Sequence, residues 1–238
     1  MKAVILAAGL GTRLRPLTDC CPKAMLPLNG KPLLQYNLDL LKAHGLRQVA
    51  VNLHHLPEVV IRYLLENGEQ GLKVNLAVEP RLLGTAGGAK NLESFLDETF
   101  LVLYGDVLTT IDLGALVSFH NTTGGMATVA VHEVDDPSSC GVAVLGKGGR
   151  ISHFVEKPPK GKVASPWANA GVYVMEPDIL SYIPPEGEYD FGRDLFPSLL
   201  RRGVPVYSYP FSEYLVDIGS PQGYEKAKTD LQEGRYLP

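Results

Sequence analysis

Only three of the 238 residues are cysteines (Cys20, Cys21 and Cys140). They are too few and too badly spaced for a disulfide framework, and no CxxC or Cys/His pattern offers a zinc site. Three reduced thiols in a cytoplasmic protein are expected. Long apolar runs are also missing. The first eight residues, MKAVILAA, are too short a run to span a bilayer, and a glycine-rich turn follows where a signal cleavage site would lie. No membrane partner is expected. Nor is there an excess of positive charge: 22 Lys and Arg face 26 Asp and Glu, a formal net charge of −4, and the basic residues are scattered. That excludes a broad nucleic-acid surface, so any anionic ligand must be met by a local site. Internal repeats, low-complexity tracts and linkers are absent as well, which favours one domain over residues 1–238.

What is present is a 45% hydrophobic composition, enough for a real core, arranged as short apolar runs alternating with amphipathic stretches. Strands are predicted at 2–7, 48–53, 74–78 and 100–104. Helices are predicted around Leu33–Leu41, from Pro57, from about Gly88 to Leu96 and after Asp112. Beyond Ala127 the texture changes. Strands at 127–134, 141–145 and 151–155 crowd together, the last two joined by a Gly146-Lys147-Gly148-Gly149 hairpin loop. A strand at 170–175, helices at 178–183 and 190–202, a strand at 204–210 and a helix at 220–232 complete the chain. The pattern predicts a three-layer, Rossmann-like α/β/α fold with a mostly parallel mixed sheet.

The first strand empties into Ala7-Ala8-Gly9-Leu10-Gly11-Thr12-Arg13-Leu14-Arg15-Pro16. Two glycines let a backbone turn tightly and aim N–H groups at an anion, and Arg13 and Arg15 add positive charge. A dinucleotide fingerprint would need a third glycine where Leu14 stands. A Walker A loop fails because Gly30-Lys31 is followed by Pro32. Ten residues past Arg13, Pro22-Lys23 offers a third cation. Arg15 is equally well read as a loop arginine on a carboxylate, and His54-His55 as satisfied surface or core residues.

Residues 6–18, LAAGLGTRLRPLT, together with Pro22-Lys23, resemble the signature of sugar-1-phosphate nucleotidyltransferases. The resemblance runs in order through Tyr104-Gly105-Asp106, Phe154-Val155-Glu156-Lys157-Pro158, Asn169-Ala170-Gly171-Val172-Tyr173 and Val216-Asp217-Ile218-Gly219-Ser220-Pro221. Tyr104 stands where many relatives have Asn, and Leu215 where an aromatic often precedes the second aspartate. Neither departure removes a needed charge. Hexapeptide repeats of the C-terminal β-helix that many relatives carry are not in this sequence, and acyltransfer or regulation by such a domain is not expected.

The resemblance implies a nucleotide-binding half, 1–125, and a sugar-phosphate-binding half, 126–238. It implies Mg²⁺ on Asp106 and Asp217, and Arg13 on the α- and β-phosphates and the departing pyrophosphate. Lys23 would lie on the α-phosphate. The base would be met by Ala7, Ala8 and Gly9, with Gly11 and Thr12 close by, and by Glu79, Pro80, Gly84, Thr85 and Gly87. Lys157 would hold the sugar phosphate, Glu156 and Asn169 would take sugar hydroxyls, and Gly141 and Gly171 would line that pocket. The chemistry agrees: two polyanions repel, so in-line attack on the α-phosphorus needs neutralisation and alignment rather than a covalent nucleophile. Intact Arg13, Lys23, Asp106, Lys157 and Asp217 speak against a catalytically inactive, nucleotide-sugar-sensing homologue.

The loop Leu83-Gly84-Thr85-Ala86-Gly87 and the segment 189–197, YDFGRDLFP, resemble mannose-1-phosphate guanylyltransferases. GTP and mannose 1-phosphate are therefore the expected pair, giving GDP-mannose, with the Glu79 carboxylate or a nearby carbonyl reading guanine. Gly87-Gly88 leaves UTP with a hexose or N-acetylmuramate 1-phosphate open, and a homodimer is also left open.

Overall fold

The computed structural model describes residues 1–68, 71–162 and 165–236. It shows the expected class, a mixed, mostly parallel sheet with flanking helices. The compact units do not follow a division at residue 125. One comprises Met1–Leu82, Leu103–Asp112 and Glu213–Pro238, and the other Leu83–Val102 and Leu113–Ser212. The first unit is therefore closed by the end of the chain, because Leu215–Asp217 pairs antiparallel with Val107–Thr109.

In the first unit, Lys2–Leu6, Gln48–Leu53 and Lys73–Val78 run parallel, with Val4 opposite Ala50 and Val51 opposite Leu76. The first two of these strands are nearly all buried, as near-continuous apolar runs in a parallel sheet require. Their carboxyl ends are tied by polar groups. Asn52 Oδ1 accepts from the Ala7 N–H (2.7 Å), and Asn52 Nδ2 donates to Glu79 Oε1 (2.7 Å). A second apolar cluster joins Leu14, Leu26, Leu28, Leu33, Tyr36, Leu108, Val216, Ile218 and Tyr224. Each large side chain buried there contributes about 1.5–3 kcal/mol.

The last helix, Pro221–Gln232, begins on Ser220, whose Oγ accepts from the Gly223 N–H at 3.1 Å. It ends around Asp230, whose side chain is 2% exposed. Asp230 accepts from Tyr214 Oη (2.9 Å), Arg235 Nε (2.7 Å) and Lys226 Nζ. Burial alone would raise this carboxyl, but hydrogen bonds from Lys226, Arg235 and Tyr214 overcome it and bring the pKa down to about 2. The unfolded chain binds this proton more readily than the folded one, so the stabilisation is complete above about pH 4 and is lost as pH falls toward 2. Asp230→Asn should therefore cost about 1.5–3 kcal/mol at neutral pH. Urea midpoints of mutant and wild type should converge below about pH 3; a gap that stayed constant with pH would remove the charge from the explanation.

In the second unit, Ala127–Glu133 pairs antiparallel with Trp167–Met175 and parallel with Val206–Pro210. The predicted hairpin forms between Gly141–Leu145 and Ile151–Glu156. Two helices differ from expectation. The third spans Gly84–Lys90, not 88–96, because the Ala86 and Gly87 N–H groups both donate to the Tyr189 carbonyl (2.9 Å each) and start the turn early. The stretch 190–202 divides into a π-helical turn, Phe191–Leu195, and an α-helix, Phe196–Arg201. Pro197 has no N–H to continue one register, and the Leu195 N–H reaches back to the Asp190 carbonyl at 2.9 Å. Among the described residues no helix is long and apolar enough to cross a membrane.

Candidate active site

Two clusters of the anticipated residues form, one in each unit. In the first, the ladder pairs Asp217 with Val107, and the Ile218 N–H donates to the Asp106 carbonyl at 2.9 Å. Val216 and Ile218 point into the apolar cluster, so strand alternation turns Asp217 the other way. Lys23, on the short 3₁₀ turn Lys23–Met25, places Nζ 2.5 Å from Asp106 Oδ2, with both side chains about four-fifths buried. It is not the solvated loop charge that a lysine between prolines usually is.

Gly219 sits where these groups converge. A Cβ there would lie 2.8 Å from Arg13 NH2, 2.8 Å from Asp217 Oδ1 and 3.4 Å from Asp106 Oδ2. The Gly219 N–H donates to Asp217 Oδ1 (2.6 Å). Asp217 keeps an exposed side. Even so, enclosing protein and then the neighbouring Asp106 charge hold its pKa above the ordinary carboxylate value, against Gly219, Lys23 and Arg13. Two carboxylates converging on one point suit a hard cation, and Mg²⁺ is usually held by one or two carboxylates plus phosphate oxygens. No group of three or more potential metal-ligating side chains occurs among the described residues. Gly105 is required beside it: a Cβ there would stand 2.8 Å from the Leu6 carbonyl.

The loop that carries Arg13 is open. Nothing lies within 4 Å of a Cβ on Gly9, and Thr12 and Arg13 are exposed on the turn Thr12–Leu14. Gly11 adopts φ 65° and its carbonyl accepts from Thr18 Oγ1 (2.8 Å), which fixes the loop. Ala7 is half-buried, Ala8 is buried and Pro80 is exposed. Glu79 is 2% exposed, and its carboxylate accepts from Asn52 inside the unit, which does not suit it to read a base edge. Arg15 lies 3.3 Å from Asp19 on the surface, the alternative reading of that residue. His54 and His55 donate to the carbonyls of Glu79 (2.8 Å) and Thr18 (2.7 Å), so both are satisfied.

The second cluster surrounds Glu156. A Cβ on Gly141 or Gly192 would come within 2.7 or 2.5 Å of Glu156 Oε2, so both glycines leave room for this carboxylate. Sequence reasoning named Gly141 but missed Gly192. Burial raises the Glu156 pKa; Lys157 opposes the shift and Asp190 adds to it. Lys157 is mostly exposed, has φ 45°, and lies 3.8 Å from Glu156. Asn169 is partly committed: Nδ2 donates to Tyr173 Oη (2.7 Å) and Oδ1 accepts from the Gly171 N–H (3.1 Å). The pair braces a shift of register between Asn169 and Tyr173, where Gly171 takes φ 70°. Gly84, Thr85 and Gly87 do not form an open loop. They pack on residues 189–191, and a Cβ on Gly84 would lie 2.7 Å from the Tyr189 carbonyl.

Residues 2–234 match the model of the nucleotidyl transferase family. The chain is 39% identical over 95% of its length to UTP–glucose-1-phosphate uridylyltransferase from Synechocystis sp., covering 62% of that protein. It is 35% identical over 98% of its length to mannose-1-phosphate guanylyltransferase from Mycobacterium tuberculosis, covering 65%. The chain thus spans less than two thirds of these curated relatives. It also resembles a solved UDP-glucose pyrophosphorylase complexed with UDP-glucose, with a TM-score of 0.86 and 25% identity over 98% of this chain and 99% of that one. Joined to the paired carboxylates beside Arg13 and Lys23, this agreement along nearly the whole sequence shows that the chain belongs to the nucleotidyl transferase family.

Proposed function

We propose that this protein transfers a nucleotidyl group from a nucleoside triphosphate to a sugar 1-phosphate, releasing pyrophosphate. The convergence of Asp106, Asp217, Arg13 and Lys23 around Gly219 carries the reading. When bound by Asp106 and Asp217, Mg²⁺ supplies charge neutralisation of the phosphates. Arg13 meets the negative charge that develops on the departing pyrophosphate, and Lys23 balances the α-phosphate. Lys157 holds the incoming sugar phosphate. Glu156, in the space left by Gly141 and Gly192, accepts from sugar hydroxyls.

UTP with a hexose 1-phosphate is the preferred pair. It has the support of the 39% identical uridylyltransferase and of the likeness to a UDP-glucose-bound enzyme. The guanine-reading carboxylate anticipated at Glu79 is occupied by Asn52, which removes one argument for GTP. GTP with mannose 1-phosphate is the second reading, favoured by the 35% identical guanylyltransferase. Triphosphates assayed in a grid against sugar 1-phosphates, with pyrophosphate as readout, should give the highest kcat/KM with UTP. A clear preference for GTP with mannose 1-phosphate would reverse the order, and no pyrophosphate in any combination would sink the enzymatic reading.

Arg13 and Lys157 should separate kinetically. Arg13→Ala is expected to lower kcat chiefly, because its charge matters most as the leaving group forms. Lys157→Ala should raise KM for the sugar phosphate by about ten- to a hundredfold, the range for a charged hydrogen bond, and leave triphosphate binding intact. Calorimetry showing that Lys157→Ala abolishes triphosphate binding would contradict the assignment.

A further inference from the structure

Asn52 and Glu79 have no role yet in the chemistry. Both are 2% exposed at the carboxyl ends of parallel strands, where an amide and a carboxylate are costly to bury. Asn52 lies in Gln48–Leu53, and Glu79 follows Lys73–Val78. Their contact with the end of the first strand is directional. The Ala7 N–H can only donate, so it takes Asn52 Oδ1 (2.7 Å), which leaves Nδ2 to donate to Glu79 Oε1 (2.7 Å). The Glu79 main chain is fixed as well: its N–H donates to the Leu53 carbonyl (2.7 Å), and its carbonyl accepts from His54 (2.8 Å). Rotating the Asn52 amide would break both of its bonds. Ala7 opens the loop that carries Arg13, and it is gripped from a second strand too. The Gly105 N–H donates to the Leu6 carbonyl (2.9 Å), and a Cβ on Gly105 would stand 3.3 Å from Ala7 Cα. Asp106 follows directly. The start of the loop is thus held between Asn52 and the Gly105-Asp106 step, all within one compact unit. Farther along the loop Gly9 is open, and Arg13 NH2 reaches the point where Asp106 and Asp217 converge.

We propose that Asn52 and Glu79 are positioning residues for nucleotidyl transfer. Glu79 orients the Asn52 amide, the amide fixes the Ala7 N–H, and Ala7 sets where the loop 7–13 presents its backbone and Arg13 to the triphosphate. The role rests on the reading of that loop as the triphosphate site. It also assigns the Ala7 N–H to Asn52, so main-chain donors to the nucleotide come from beyond Ala7. Asparagine suits the position because one side chain must accept from an N–H and donate to a carboxylate at once.

The test is steady-state pyrophosphate release with Mg²⁺, UTP and glucose 1-phosphate; GTP and mannose 1-phosphate form a parallel arm. Asn52→Leu removes both hydrogen bonds at similar size. It should lower kcat/KM for the triphosphate by about ten- to a hundredfold, the upper figure being the scale for a misplacement of about 1 Å. The KM for the sugar 1-phosphate should stay within about twofold, since Glu156 and Lys157 belong to the other unit. The double variant Asn52→Asp with Glu79→Gln keeps both bonds with their polarity reversed: the carboxylate at 52 accepts from Ala7 and from the amide at 79. It should recover triphosphate kcat/KM to within about threefold of wild type. Should Asn52→Leu fail to fold, Glu79→Leu, which frees the Asn52 amide to turn, takes its place with the same expectations. A merely structural role would lower the melting temperature and leave triphosphate kcat/KM unchanged, and that outcome would overturn the proposal. So would a double variant as impaired as the leucine one, or equal losses toward both substrates. In each of these cases the active wild type leaves the proposed function standing. A wild type that releases no pyrophosphate with any pair would bring down both.

Discussion

Replacement of Asp106 or Asp217 by asparagine should each lower kcat by at least about 10²-fold, the scale for losing one preorganised electrostatic element. Asparagine keeps the size of the side chain and removes the charge. The ladder between Val107–Thr109 and Leu215–Asp217 fixes both backbones, and the buried neighbours Val107, Leu108, Val216 and Ile218 are untouched, so the fold should persist. In Asp106→Asn the Lys23 ammonium also loses its 2.5 Å carboxylate partner, so this variant should additionally change the triphosphate KM. Circular dichroism and melting curves serve as folding controls, with pyrophosphate release across a Mg²⁺ titration as the measurement. Near-wild-type turnover in a well-folded Asp217→Asn protein would remove that residue from the metal site.

The other large effect concerns a residue with no chemistry of its own. A Cβ on Gly223 would lie 2.0 Å from the backbone carbonyl oxygen of Asp217, a contact no rotamer can relieve because the obstacle is main chain. Gly223→Ala must move either the first turn of Pro221–Gln232 or the strand that ends at Asp217. Overpacking of this kind costs about 1–3 kcal/mol, and displacement of a catalytic group by about 1 Å can cost about 10²-fold in rate. Both Tm and kcat should therefore fall. The neighbouring exposed Gln222 provides the control, since Gln222→Ala should leave both near the wild-type values. An unchanged kcat in Gly223→Ala would show that Asp217 does not need its present position.

Local patterning determined much of this protein. Strands at Gln48–Leu53, Phe100–Tyr104 and Gly141–Leu145 appear with the bounds their apolar runs predict, because each run is short, β-rich and bounded by turn residues. The family signature likewise named Arg13, Lys23, Asp106 and Asp217, which the fold gathers in one unit. The Asn29-Gly30 turn was legible but passed over: both residues take positive φ and join Pro27–Leu28 to Lys31–Pro32, strands too short to show alternation. Other features depended on contacts between distant parts of the chain. Local sequence cannot reveal that Leu215–Asp217 closes on Val107–Thr109, that Glu79 turns inward to Asn52, or that Gly192 makes room for Glu156. Neither could the glycines at 84 and 87 be read as seats for the Tyr189 backbone rather than an open base loop, since a glycine shows only that space is needed there. What fills that space is decided when remote segments pack, and local propensity carries no information about them.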